Sequence, residues 1–223
     1  MKAFLLILTL LLSVDAYSEL RAYNDKSLRE KRAEISLGFR HMGQFSVYGK
    51  ESGKLTAESS NGFLLEGGYN YTQKWFFGGY FSLNSADYMS DVKDIDGNSD
   101  SLFSTLSFFD LQFITRYNFF KTVLTPYVEA GIGMTSIDSG VASGEVVETC
   151  WWDPLFGEYV CGYRQTNKTI TKLSATLGVG ARYEMTKKSF FKIASSYRIV
   201  NYTKTDDRPK FWDMTFTIGM LID

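Results

Sequence analysis

The chain has 223 residues and balances 24 Lys and Arg against 25 Asp and Glu for a formal net charge of -1, with no basic patch to suit a nucleic-acid partner. Its apolar runs are all too short for a membrane helix, which needs about 20 residues. Aromatic content nevertheless reaches 16%, with 14 Tyr and 18 Phe, more than a soluble domain usually carries.

The chain opens with Lys2, an apolar run from Phe4 to Leu12, and Val14-Asp15-Ala16, which offers small or apolar side chains where a signal peptidase reads. Residues 1–16 therefore read as a cleaved secretory signal, and the mature chain begins near Tyr17. Cys150 and Cys161 lie far from that site, so neither is a lipoprotein thiol. A close pair in an exported protein is expected to form a disulfide. Residues 17–32 are polar and read as a periplasmic segment, either a short helix or a mobile lead-in to the first strand.

From there period-two alternation dominates. Ala33–His41 puts Ile35, Leu37 and Phe39 on one face and Glu34, Ser36, Gly38 and Arg40 on the other. A long polar segment runs through Ser60. Phe63, Leu65, Tyr69 and Tyr71 then share a face, and after the short turn at Gln73-Lys74 the pattern resumes with Trp75, Phe77, Phe81 and Leu83. Ala86 to Ser101 turns acidic and reads as a second long loop. Phe109, Leu111, Phe113 and Tyr117 alternate with Asp110, Gln112, Arg116 and Asn118, and a short turn near Lys121 leads into Leu124–Met134. The longest interruption, Ser136 to Lys168, holds both cysteines. Three further strands follow, Leu173–Tyr183, Phe191–Ile199 and Trp212–Met220, separated by a short turn at Met185–Lys188 and a modest loop ending at Pro209.

The total is eight strands, and the connections alternate long and short. That asymmetry belongs to outer-membrane barrels, with short periplasmic turns, long extracellular loops and both termini inside. Each strand offers roughly 9 to 11 alternating residues, enough to cross the hydrocarbon layer at a tilt. The expected fold is all-β, an eight-stranded antiparallel up-and-down transmembrane β-barrel over residues 33–223. A soluble barrel of the same size would have to turn the oily face inward, and about three dozen large side chains do not fit a lumen that eight strands leave just wide enough to fill. The polar face carries the glycines a crowded interior needs.

Pro126-Tyr127-Val128-Glu129-Ala130-Gly131-Ile132-Gly133 is similar to the P-Y-V-x-A-G-x-G strand of the small outer-membrane barrels of OmpA/OmpX type and of the opacity-like barrel domains. The resemblance implies residence in a bacterial outer membrane, contact with its lipid and lipopolysaccharide, and a monomer. Two features depart from the family: no C-terminal peptidoglycan-binding domain follows, and the chain ends Leu221-Ile222-Asp223 without the terminal aromatic residue of the assembly signal.

Charged residues on the polar face are Arg40, Glu66, Asp110, Arg116, Glu129, Arg182, Lys192, Arg198 and Asp213, four acids and five bases. Unpaired charge in a narrow lumen costs several kcal/mol each. They are therefore expected to form an ion network that plugs the barrel, with Arg40 facing Glu66 and Arg198 facing Asp213; an ion path is the alternative. His41 is the single histidine, followed by Met42-Gly43 with no serine in the position a lipid A deacylase uses, and reads as an interfacial polar side chain. Asp94-Ile95-Asp96-Gly97-Asn98-Ser99-Asp100 alternates oxygen ligands around a glycine but lacks the closing glutamate of a calcium loop. Neither a metal site nor a cofactor is expected. Trp151, Trp152, Phe156 and Tyr159, bracketed by the cysteines, read either as a binding surface for an extracellular protein or glycan, or as a lid folded over the barrel mouth. The expected function is non-enzymatic, exerted through the extracellular loops or in envelope integrity; a narrow conduit and a barrel-embedded lipid-modifying enzyme are the alternatives.

Overall fold

The computed structural model describes residues 26–48, 54–93, 99–153, 158–202 and 208–223, with side chains described outside 91–102 and 142–166. The signal segment, the acidic loop residues Asp94–Asn98, Phe156, and the side chains of Cys150, Trp151, Trp152, Tyr159 and Cys161 thus lie outside the described residues. The described residues form ten strands: β1 Arg32–Met42, β2 Phe45–Tyr48, β3 Lys54–Ala57, β4 Ser60–Asn70, β5 Trp75–Lys93, β6 Ser99–Asn118, β7 Leu124–Asp153, β8 Glu158–Tyr183, β9 Ser189–Val200 and β10 Lys210–Ile222.

Eight of these, β1 and β4 to β10, close an antiparallel barrel in which each pairs with its chain neighbour and β10 returns to β1. Closure satisfies every ladder hydrogen bond without an edge in lipid. The oily face points out: Ile35, Phe39, Leu83, Phe113 and Leu177 are all exposed. Near the short turns, Tyr69, Tyr71, Trp75 and Phe77 form an exposed aromatic belt. Trp75 stacks edge-on with Tyr117 at 4.9 Å, and Tyr117 with Phe119 at 5.6 Å. Such a girdle marks a membrane interface.

Inside, aromatic rings lie over glycines on the paired strand. Tyr127 is paired with Gly180, and a Cβ on that glycine would meet the Tyr127 ring at 2.5 Å. Phe190 sits likewise over Gly219, its partner in the β9–β10 ladder.

Three segments that read as long loops contain strand. β5 and β6 run 19 and 20 residues, and β7 and β8 run 30 and 26, about two to three times the membrane-crossing length. The reason is an inversion of the alternation at the end away from the short turns. Along β5 the outward residues change from Leu83 to Ser85 and Asp87 while the inward ones change from Ser82 to Ala86 and Tyr88. On β6 they change from Phe109 to Ser107 outside and from Asp110 to Phe108 and Leu106 inside; on β1, from Phe39 to His41 and from Arg40 to Met42. Oily outside with polar inside becomes mainly polar outside with oily inside, although Met89 and Phe103, opposite one another in the β5–β6 ladder, stay exposed on the outer face. Strand thus continues where the outer surface turns polar, and a search for an outward oily face stops there.

β2 and β3 form a small hairpin within the first long connection, and β3 pairs with the far end of β5 through Leu55↔Ser90 and Ala57↔Tyr88. β7 parts from β6 after Asp138, where the β7–β8 register also shifts. Gly140, with φ of 62°, takes the left-handed turn at this point, and its N–H donates to Asp138 Oδ1 at 2.9 Å.

Candidate functional site

The lumen is layered from the short-turn end upward. At the bottom, residues 26–31 do not form a helix; they tuck into the barrel mouth, with Lys26 bridging Thr122. Arg29 is fully buried. Its Nε donates to Gln73 O at 2.6 Å, its Nη2 to Phe120 O at 2.6 Å and its Nη1 to Glu184 Oε1 at 3.1 Å. One guanidinium therefore holds the three short connections β4–β5, β6–β7 and β8–β9. Ser27 Oγ donates to the same carboxylate at 2.5 Å. Burial lowers the Arg29 pKa to about 10, helped by the neighbouring Arg182 and opposed by Glu184, so the group stays charged at neutral pH.

Above this mouth six strands each send one charged side chain inward. Arg116 is central: Nη2 lies 2.9 Å from Glu66 Oε1 and 2.6 Å from Glu129 Oε2, and Nη1 lies 3.2 Å from Glu34 Oε1. Its guanidinium is held between Phe76 and Tyr127, at 4.7 Å and 4.8 Å from the ring centroids. Arg182 meets Glu34 at 2.6 Å, and Lys192 bridges Glu66 at 2.5 Å and Glu34 at 3.4 Å. Leu64, Phe76, Tyr80 and Ile114 form an apolar cluster within the lumen.

Two acids and two bases form the upper cluster. Arg40 reaches Asp110 at 3.0 Å and Asp213 at 2.5 Å, while Arg198 pairs with Asp110 and lies 3.7 Å from Asp213. Thr135 donates to the other Asp110 oxygen at 2.6 Å. A cavity of about 20 Å³ is left against Arg40, Glu66, Tyr80, Arg116 and Lys192, a space of single-water size.

The top is closed by apolar side chains. Met42, Ala86, Tyr88, Leu106, Phe108, Val200 and Phe211 pack with Ala57 of β3, and Phe45 of β2 covers them at 4.6 Å from Phe211. The lid among the described residues is thus the β2–β3 hairpin, drawn from a stretch that looked merely polar.

All nine charged residues named from the sequence reach this lumen, but their partners differ: Arg198 is opposite Phe211 in the β9–β10 ladder and pairs with Asp110, with Asp213 at 3.7 Å. Arg40 does not face Glu66, because the β1–β4 register pairs Glu66 with Ser36 and Arg40 with Gly62. Counting from the strand ends missed that offset. Sequence reading also left out Glu34. The excess base in its tally was the available signal, because Glu34 shares the Arg40 face of β1; with it, five carboxylates meet five cations across the two clusters. Glu184 continues the inward parity of Arg182, whereas nothing in the local pattern marks Arg29.

Outside the lumen, His41 faces outward with Nδ1 2.9 Å from Asn61 Oδ1. Among the described residues no group of three or more His, Cys, Asp or Glu could hold a metal ion. The backbone places Cys150 directly opposite Cys161 in the β7–β8 ladder. Facing residues on antiparallel strands have Cα atoms about 4.5 to 5.5 Å apart, within the span a disulfide bridges. The protein exported from cells is expected to resist thiol alkylation until reduced; two thiols that react without reductant would exclude the bond.

A family model described as "Outer membrane protein beta-barrel domain" matches residues 4–221. No curated protein sequence matches significantly. Among solved structures, the outer membrane protein OprG from Pseudomonas aeruginosa superposes with a TM-score of 0.50 at 15% identity, covering 91% of this chain and 99% of its own. The attachment invasion locus protein Ail of Yersinia pestis, solved with the heparin analogue sucrose octasulfate, gives 0.49 at 15% identity over 86% and 99%. Neisserial surface protein A gives 0.47 at 10% identity over 85% and 96%.

Proposed function

Because the chain belongs to the outer membrane protein β-barrel domain family, we propose that it is a sealed, non-enzymatic barrel of the bacterial outer membrane that works by presenting its long β-ribbons to a protein or glycan outside the cell. One observation carries the reading: the lumen is filled from end to end, while β5 to β8 run on well past the membrane-crossing length. A conduit would need an open path through both ion clusters and the apolar layer. Catalysis would need a nucleophile and a base in reach of one another, and the single histidine is bonded to an asparagine on the outer surface. Closure leaves no edge for strand exchange in lipid, which supports a monomer.

The β7–β8 ribbon is the main candidate contact. Near its end Trp151 and Trp152 lie opposite Val160 and Tyr159, and Trp and Tyr are among the residue types enriched in binding hot spots. A disulfide between Cys150 and Cys161 would close a loop of about 12 residues and stiffen that tip by roughly 3 kcal/mol on the chain-entropy model. Bacteria displaying the protein are expected to bind arrays of matrix proteins or glycans above the level of an empty vector. Trp151→Ala with Trp152→Ala should remove that binding and leave the heat-modifiable gel shift of the folded barrel intact. Binding that survives the double substitution would remove the ribbon tip from the account.

A further inference from the structure

Beyond Asp138 the β7–β8 ribbon leaves the barrel wall. β6 pairs with β7 only as far as Asp138, and β9 pairs with β8 only from Ser174, so among the described residues the two strands have no further partner above those points. Their own ladder is regular up to Asp138↔Thr169 and again from Val146↔Gln165 to Asp153↔Glu158, eight consecutive pairs, with the single pair Ala142↔Asn167 between the two stretches. Across that gap β7 spends residues 139–145 where β8 spends only 166–168. The distal hairpin is therefore a unit separate from the barrel. A two-stranded hairpin in water is marginal at best, and this one carries two local costs. Gly162 stands opposite Thr149 in mid-ladder, and Asp153 opposite Glu158 sets like charges face to face at the last pair. Cys150↔Cys161 is the fifth of the eight pairs, and Trp152↔Tyr159 is the next pair on the same face.

We propose that Cys150 and Cys161 form a thiol-operated switch: with the disulfide in place the distal hairpin is ordered and holds Trp152 opposite Tyr159, and on reduction it opens while the barrel below stays folded. Linkage sets the sensitivity. The bond favours the ordered hairpin by the same factor as the hairpin favours the bond, so a hairpin that is marginal alone gives its disulfide little protection from reduction. The thiolate of a small thiol such as glutathione attacks one cysteine sulfur and releases the other, and a second glutathione resolves the mixed disulfide. Two cysteine thiols and one glutathione disulfide result, with both electrons and both protons coming from the two glutathiones. Presentation of the tip to a partner rests on the function proposed above, whereas the opening of the hairpin does not.

The test is hydrogen exchange read by mass spectrometry on the full-length barrel in nanodiscs, oxidised and after glutathione treatment, with no partner present. A loop of about 12 residues scales on the chain-entropy model to roughly a hundredfold in the order equilibrium. Amides of residues 146–153 and 158–165 are therefore expected to exchange at least tenfold faster after reduction, with 124–138 and 169–183 unchanged and the heat-modifiable shift kept. Cys150→Ser with Cys161→Ser should match the reduced wild type with or without glutathione. Adding Glu158→Lys to that pair, which sets opposite charges at the last position, should restore part of the protection. Equal exchange before and after reduction, a disulfide that glutathione leaves intact, or faster exchange that spreads into the crossing strands would each overturn the switch. Because no partner enters the measurement, failure of the proposed binding leaves this result untouched.

Discussion

Arg116→Met is expected to cost about 3 to 5 kcal/mol, the usual penalty for stranding a buried charge, because it leaves Glu129 without its ion-pair partner and takes one of the cations from each of Glu34 and Glu66, which keep Arg182 and Lys192. Glu34, Glu66 and Glu129 all converge on that guanidinium, which is held between the rings of Phe76 and Tyr127. The side chain of methionine fills much of the volume, so the loss reports charge and not a cavity. Urea titration in detergent micelles, read by the compact band on unboiled gels, measures it. Adding Glu129→Gln to Arg116→Met removes the stranded charge and should recover part of the loss. A single variant within about 1 kcal/mol of wild type would mean that the cluster is solvated, as exposed pairs are.

Arg29→Ala is the second large effect, expected at about 3 kcal/mol. It breaks a buried pair with Glu184, a loss tempered because Arg182 Nε lies 3.7 Å from the same carboxylate. It also frees carbonyls of two short turns. The partners Gln73, Phe120 and Glu184 lie 44, 91 and 155 residues from Arg29 in sequence. The latch can form only after three hairpins have come together, so its loss should speed unfolding more than it slows folding. Arg29→Lys should rescue little, because an ammonium cannot reach in three directions as the planar fork does. Unfolding rates of Arg29→Ala equal to wild type, with residues 26–31 no more open to protease, would contradict the latch.

The eight crossing strands were legible because membrane alternation maps one residue to one face: Phe63, Leu65 and Tyr69 could only face out once the volume of the lumen was considered. The ribbons were not legible by the same rule. Beyond Leu83 the faces exchange character, so that Ala86 and Tyr88 point in while Ser85 and Asp87 point out, and a segment that is still strand imitates a loop. Which residues fill the lumen followed from parity, as with Arg40, Asp110 and Arg198 on their inward faces. Which residues pair did not, because register depends on offsets between strands far apart in sequence; Glu66 opposite Ser36 is the case in point. Arg29 was invisible for a different reason. A strap with no periodicity of its own takes its place from a mouth built by turns more than 40 residues away.

The filled lumen is tested most directly by single-channel recording of the purified barrel in planar bilayers. Arg116, Arg40 and the Phe45, Phe108 and Phe211 cluster each close the bore at a different level. The expected record is therefore flat at the leak of the bare membrane, in the wild type and also in Arg29→Ala, where all three barriers remain. Steady ohmic steps from the wild type, at low applied voltage, would contradict it.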